Sequence, residues 1–446
     1  MILPLLKRAL SDKVLILLAI SILILIGLRI AILPFSPPGF YVDEAATGAH
    51  VVAMVIHHTN AYGQAWPLYS QSLGGGFTTP IYLYPLSIWA SIFGFSEVAL
   101  RYFSQFVTIM SIIVIGVSMR LWIDKKAGLI AIIVGLALPW GWLQGSIAWD
   151  PAMVPLMISL AIIGWSLLMT RTTTKARLTG RILLPASLIG LAYLYPPYWV
   201  SAPIIFLATY FNLYIKKRIS IRHIVYTLIG SIILSIPLIN FILQPNTLLR
   251  SSNIGIFHGV SFIQSVEIFI DNILLFINPT FLFTYGDANL RHSTGYQGML
   301  GLGALIPIVF LIWFAIEHYN KNKIKFLKPT EIFLVSAGLI GFIISLIGSA
   351  LTNEGQPQSL RSCAAWPFAI IVITIGWCAI TRYKNQWIKW FAIILFVIGT
   401  LAYASDLAFN FPNRGSSAFY VPERTNILNN QKTNYPDLVL KYYSTR

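Results

Sequence analysis

Asp43 and Glu44 are adjacent carboxylates at the end of the first apolar run, inside Gly39-Phe-Tyr-Val-Asp-Glu-Ala-Ala46, and no Lys or Arg occurs between Arg29 and Arg101. With 15 Asp and Glu in 446 residues, an acid pair where an apolar helix meets its loop calls for a chemical reason, because ionisable groups near membrane depth usually mark function. A carboxylate held there could take a proton from a substrate hydroxyl as a general base. Adjacent residues face different ways on a helix. One of the two is therefore expected to face a cavity while the other pairs or accepts hydrogen bonds locally. The plainer reading is a helix-end acid beside a capping residue, and both readings stand.

A second group lies in Thr284-Tyr-Gly-Asp-Ala-Asn-Leu-Arg-His-Ser-Thr-Gly295, which sets Asp287, Arg291 and His292 within six residues. The arginine fork suits phosphate oxygens, and imidazole can donate to the same group or shuttle a proton. The plainer reading is an Asp287–Arg291 surface ion pair. A third group is Thr352-Asn-Glu-Gly-Gln-Pro-Gln-Ser-Leu-Arg-Ser362. There Arg361 would stand at a helix N-terminus whose dipole also favours an anion, or else pair with Glu354. Asp150, in Ala148-Trp-Asp-Pro151, reads first as a helix cap and second as a substrate contact. Tyr195, with Tyr193 and Tyr198 around Pro196-Pro197, makes an aromatic turn that could stack on a sugar or sit in an interfacial belt. His57-His58 and Gly74-Gly-Gly76 suggest neither a metal nor a nucleotide site.

Positioning these residues falls to membrane helices. Hydrophobic residues make up 57% of the chain, charged ones 10%, and mean hydropathy is +0.73. These are the values of an all-α polytopic membrane protein, not of two or three soluble domains. The net charge of +16 comes as short clusters between apolar runs, such as Lys125-Lys126, Lys216-Lys217-Arg218 and Lys321 to Lys328. That is the pattern of cytoplasmic loops, and it argues against nucleic acid as a partner. About eleven crossings are expected, near 14–35, 101–121, 127–143, 151–170, 182–195, 198–215, 224–243, 298–317, 331–350, 364–381 and 388–408.

The run 80–95 is short and broken by Pro85, and reads as a helix lying along or dipping into the outer surface. With the N-terminus inside, every inner loop is basic, and Asp43, Glu44, Asp150, Asp287, Arg291 and Arg361 all fall outside. Residues 1–408 then form the membrane domain, with long outer segments 36–100 and 244–297, the latter carrying an amphipathic piece at 262–276. Residues 409–446 form a short outer tail. The run from Val14 is too long for a cleaved signal and reads as a retained first helix. Cys363 and Cys378 stand about 22 Å apart on one helix, too far for a disulfide.

Tyr41-Val-Asp-Glu-Ala45, Gly63, Pro67-Leu68, Pro80-Ile-Tyr-Leu-Tyr-Pro85, Phe93-Gly-Phe-Ser-Glu97 and Leu100-Arg101 resemble, in type and order, the GT-C glycosyltransferases that use polyprenyl-phosphate sugars. That family includes protein O-mannosyltransferases and the aminoarabinose transferases of lipid A. Gly286-Asp-Ala-Asn-Leu-Arg-His292 and Gln358-Ser-Leu-Arg361 resemble elements of a bacterial branch. The resemblance spans nearly the whole chain and is strongest over residues 38–200. It implies a GT-C-type bundle with outer juxtamembrane helices, and Asp43 as the family's acidic residue in the first outer loop. It also implies chemistry on the periplasmic face of a bacterial inner membrane, in cell-envelope synthesis. A hexose or pentose would pass from the lipid phosphate to an acceptor hydroxyl. Asp43 would act as base, Glu44 would orient the acceptor, and Arg291, His292 and Arg361 would neutralise the leaving phosphate. Asp287, Asp150 and Tyr195 would complete the substrate-binding set. No large soluble insert like that of the eukaryotic O-mannosyltransferases is present, which weighs against a protein acceptor, and the tail is shorter than the outer domains of some relatives.

Two alternatives remain at this level. A secondary transporter would use the acids as a proton or cation relay, and would place them near mid-membrane between repeated halves. A metal-dependent, oligosaccharyltransferase-like enzyme would ligate a divalent ion through Asp43, Asp150 and Asp287. No cofactor is otherwise indicated. The expected partners are a polyprenyl-phosphate-linked sugar donor, a lipid or glycan acceptor and membrane lipids.

Overall fold

Helix length sorts the segments. The computed structural model describes residues 2–72, 76–244, 247, 253–321 and 327–419, almost wholly helical apart from loops. Gly74 and Gly75, most of 245–252, the basic residues Lys323 and Lys325, and the tail from 420 lie outside the described residues. In chain order the helices are α1 (Ile2–Ile32), α2 (Val42–His57), α3 (Pro80–Phe93), α4 (Glu97–Trp122), α5 (Lys125–Ala137), α6 (Trp140–Gln144), α7 (Val154–Thr170) and α8 (Thr174–Leu194). They continue as α9 (Tyr198–Ile215), α10 (Ile221–Ile242), α11 (Phe262–Ile277), α12 (Leu305–Lys321), α13 (Pro329–Ala350), α14 (Trp366–Arg382), α15 (Gln386–Ser405) and α16 (Phe411–Arg414). A two-stranded antiparallel hairpin, Ser70–Gln71 with Phe77–Thr78, interrupts the loop between α2 and α3.

Crossing a bilayer takes about twenty apolar residues, and nine helices among the described residues meet that length and hydropathy. The eleven expected segments differ from these nine in four places. The 127–143 segment breaks after Ala137, where Leu138 turns extended ahead of Pro139, leaving a 13-residue helix and a single turn. The 298–317 segment begins its helix only at Leu302. The 182–195 segment belongs to a 21-residue helix that starts at Thr174, and its basic N-terminal half keeps it out of the nine. Conversely, Phe262–Thr284, expected to lie outside as an amphipathic piece, is long and apolar enough to span. α3 has 14 residues, too few to cross upright.

α14 forms the centre: the apolar window of Cys363–Arg382 is entirely buried, whereas those of α1 and α10 are 6% buried and face outward. Close helix crossings use small residues, as membrane packing without a hydrophobic drive requires. A Cβ on Gly128 would come within 2.7 Å of the Gly116 carbonyl, and one on Gly180 within 2.8 Å of the Gly164 carbonyl, so α4 meets α5 and α7 meets α8 backbone to backbone. Both cysteines are free and buried.

The bundle has two chemically different ends. At one, Asp124 caps α5 through the Ala127 N–H, Arg382 pairs with the buried Glu331, and Arg177 donates to the Arg218 carbonyl. At the other stand Arg101, Asp43, Asp150 and Arg361. Arg101 lies in the second turn of α4 and Asp124 just past its end, which separates the two ends by roughly 34 Å at 1.5 Å per residue.

Candidate functional site

The Asp-Glu pair opens α2, and the two carboxylates part company at once. Glu44 is fully buried and accepts from the Tyr41 N–H at 2.9 Å, the Ala148 N–H at 2.9 Å, and Arg101 Nε and Nη2 at 2.8 and 2.7 Å. Arg101 also donates to the carbonyls of Pro37 and Gly39 at 2.9 and 2.6 Å. One buried ion pair thus clamps the loop after α1, the first turn of α2, the start of α4 and the segment after α6. The expected acceptor-orienting role of Glu44 is corrected: both oxygens are committed to protein donors, so its part is to position Asp43. Asp43, one residue earlier and about 100° around the helix, is half-buried and lies near Asp150.

Asp150 does not cap a helix as expected. Trp149 holds the cap position of a short 3₁₀ turn, and the Asp150 carboxylate accepts the Thr79 N–H at 2.8 Å. The hairpin and the start of α3 are thereby tied to the same acid pair.

The 284–295 loop also pairs differently from its plainer reading. Asp287 bonds His292 Nδ1 at 3.1 Å and accepts the N–H groups of Asn289 and Ser359, both at 2.8 Å. It therefore serves His292 and not Arg291. His292 is buried, with its ring 5.9 Å from that of Trp149, the neighbour of Asp150. Arg291 lies over the Tyr41 ring at 4.7 Å, donates to the Tyr41 hydroxyl, and reaches Asn289 Oδ1 at 3.2 Å. Among the described residues no carboxylate pairs with it, and Tyr41 is two residues from Asp43. Phe419, in the first part of the tail, packs edge-on against the same tyrosine.

Arg361 follows the plainer reading. It is buried, donates to Glu354 Oε2 at 3.0 Å, to the Glu354 carbonyl at 2.9 Å and to Thr352 Oγ1 at 2.8 Å. Three of its hydrogen bonds are thus spent within its own loop. Tyr195 is half-buried with its ring 6.3 Å from that of Tyr198, whose hydroxyl donates to the Arg361 carbonyl at 2.8 Å. Links through Trp149 and Tyr41 thus connect Asp43, Asp150, Arg291, Asp287 and His292, while Glu44 and Arg361 are engaged by other protein groups.

Sequence reasoning missed Arg101 as the partner of Glu44, the Thr79 N–H on Asp150, the Tyr41 platform, and Arg29. Arg29 is buried, donates to the carbonyls of Leu136 and Gly141, and stacks on Trp142 at 4.6 Å, bridging the break between α5 and α6. A signal was available for both arginines, because a guanidinium next to an apolar span must find partners inside the protein.

Among the described residues no three His, Cys, Asp or Glu side chains converge, and Asp287, third in the metal alternative, is held by Ser359 and His292.

No family model and no curated protein sequence matches the chain. Solved structures do. An oligosaccharyltransferase of Archaeoglobus fulgidus, tethered with an acceptor peptide containing the NVT sequon, superposes with TM-score 0.51 at 13% identity over 94% of this chain and 58% of the other. The same archaeon's oligosaccharyltransferase AglB with an inhibitory peptide and a dolichol-phosphate gives 0.48, 13%, 94% and 59%. ArnT of Cupriavidus metallidurans bound to undecaprenyl phosphate gives 0.48, 12%, 96% and 74%. The chain spans less than two thirds of the length of the archaeal proteins. At these identities the likeness is one of fold: the chain is a multi-pass membrane protein with the GT-C glycosyltransferase fold.

Proposed function

We propose that the chain moves a sugar from a polyprenyl-phosphate donor to an acceptor hydroxyl on the periplasmic side of a bacterial inner membrane, with Asp43 as general base. The observation that carries this reading is the pairing of opposite chemistries at one end of the bundle. A half-buried carboxylate beside Asp150 stands two residues from a tyrosine that holds Arg291, a guanidinium matched with no acid among the described residues. The archaeal structure of the same fold is an oligosaccharyltransferase, which supports glycosyl transfer as the class of reaction.

Asp43 takes the acceptor O–H proton as that oxygen attacks the anomeric carbon, and the bond from that carbon to the phosphate oxygen breaks. The lipid phosphate leaves carrying the electron pair, and Arg291 with His292 offsets its charge. Asp287 holds the His292 ring from Nδ1, which leaves Nε2 to face the phosphate. No nucleotide takes part. A general base contributes about 10²- to 10⁴-fold. Purified protein in nanodiscs, incubated with polyprenyl-phosphate sugars and with lipid or glycan acceptors, should yield a glycosylated product by mass spectrometry. Asp43→Asn should lose it by about that factor while remaining folded, and undiminished product from Asp43→Asn removes Asp43 from the reaction.

A further inference from the structure

Three non-glycine residues among the described ones have a left-handed backbone: His58, Trp66 and Lys217. For a residue as bulky as tryptophan this conformation is strained, and such strain persists only where the surroundings enforce it. Here they do. Asn60 Oδ1 accepts the N–H groups of Tyr62 and Gln64, its amide donates to Gln64 Oε1 at 2.8 Å, and Thr59 bridges to Ala65. His50, on α2, fastens the same loop by accepting the Ala61 N–H at Nδ1 and bonding the Gln71 carbonyl through Nε2. The strain holds an indole in the open: Trp66 is 63% exposed, near-parallel to His58 (centroids 5.8 Å, 8°) and to Tyr84 (6.0 Å, 26°).

Nothing in the Asp43 site uses this ring stack, and its setting says what would. Tyr62 and Gln64 stand exposed beside it and offer uncharged hydrogen-bonding groups. No Lys or Arg lies between Arg29 and Arg101, so the stretch that carries the three rings brings none of the basic groups that hold lipid headgroups or acidic polymers. α2 begins next to Asp43 and ends next to His58, which sets the stack roughly 22 Å from Asp43 at 1.5 Å per residue, the length of a short oligosaccharide and not of one sugar. We propose that the His58, Trp66 and Tyr84 rings form a distal subsite for a neutral oligosaccharide, the far end of an acceptor whose terminal hydroxyl reaches Asp43. The acceptor assignment rests on the reading of Asp43 as the base; the sugar-binding surface does not.

The test is titration calorimetry of the whole protein in nanodiscs with maltopentaose, mannopentaose and chitopentaose. At least one should bind, and Trp66→Gly should weaken that binding at least tenfold while leaving thermal stability equal to or above wild type, because glycine removes ring and strain together. Tyr62→Ala should weaken it less. Asp43→Asn should leave it within twofold, so a failed base assignment leaves this result standing. Absence of binding to all three sugars, or binding indifferent to Trp66→Gly, overturns the subsite. So does quenching of the Trp66 fluorescence, taken as the difference from Trp66→Phe, by acyl-brominated lipids but not by sugar, since that result makes Trp66 a membrane anchor.

Discussion

Neighbouring carboxylates with opposite phenotypes are the sharpest consequence of the geometry. In Glu44→Gln the amide must place its NH₂ either where Oε1 meets Arg101 Nε and the Ala148 N–H, or where Oε2 meets Arg101 Nη2 and the Tyr41 N–H. Either way one NH₂ confronts two donors, two hydrogen bonds disappear, and the Arg101 charge stays buried without its counterion. Breaking one side of a buried ion pair costs about 3–5 kcal/mol. Asp43→Asn, by contrast, leaves the Glu44–Arg101 pair intact, and should cost far less stability than Glu44→Gln. Unfolding by heat and by SDS titration in detergent, run beside the transfer assay on the folded fraction, separates the two. Glu44→Gln should lose stability by that amount and keep most of its specific activity once folded; Asp43→Asn should do the reverse. Arg101→Met combined with Glu44→Gln should cost well under the sum of the single changes, because the pair is lost only once. A Glu44→Gln protein as stable as wild type yet inactive would refute the division of labour between the two acids.

Burial pushes the His50 imidazole down from 6.5 to about 4. The unfolded chain therefore takes up the proton first, so the stability that His50 contributes is complete above pH 6.5 and falls by about 3 kcal/mol as pH drops to 4; an identical pH dependence of unfolding in His50→Gln would disprove it. Arg291→Ala should raise the KM for the lipid donor at least tenfold, the scale of a lost charge-assisted hydrogen bond of about 1.5–3 kcal/mol, whereas Arg361→Ala should lower stability with donor KM unchanged. Steady-state kinetics against donor concentration reads both. A chelator should leave the transfer rate unaltered, since Asp287 is tied to His292 and Ser359; lost activity restored by added divalent metal would contradict that.

Composition and charge clusters made the membrane class and the chemical difference between the two ends legible, because hydropathy and basic punctuation are local properties of the chain. Helix count was less so. The breaks at Leu138-Pro139 and before Leu302 depend on how neighbouring helices fill the gap, and Phe262–Thr284 carries enough polar residues to read as a surface piece. Residue types at the site were visible, but their pairing was not. Asp287 and Arg291 sit at helical spacing and looked like partners, yet the loop is not a helix there, so Asp287 turns to His292 and to Ser359, 72 residues away. Glu44 and Arg101 stand 57 residues apart, and no local pattern joins them.

The same long-range bonds bear on enzyme against transporter. Alternating access needs elements around a site to rock past one another, and would have to break whatever ties them. Here Glu44 ties α2 to α4 and to Ala148, Asp150 ties the hairpin to the start of α7, Asp287 ties the 284–295 loop to Ser359, and Tyr198 ties α9 to Arg361. Most of these bonds are buried, so each costs more to leave unmade than it gains when formed. Catalysis asks for the converse of rocking: donors and charges already in place when the transition state forms, with no reorganisation left to do. An end of the bundle stitched through four buried polar junctions meets that second demand and resists the first.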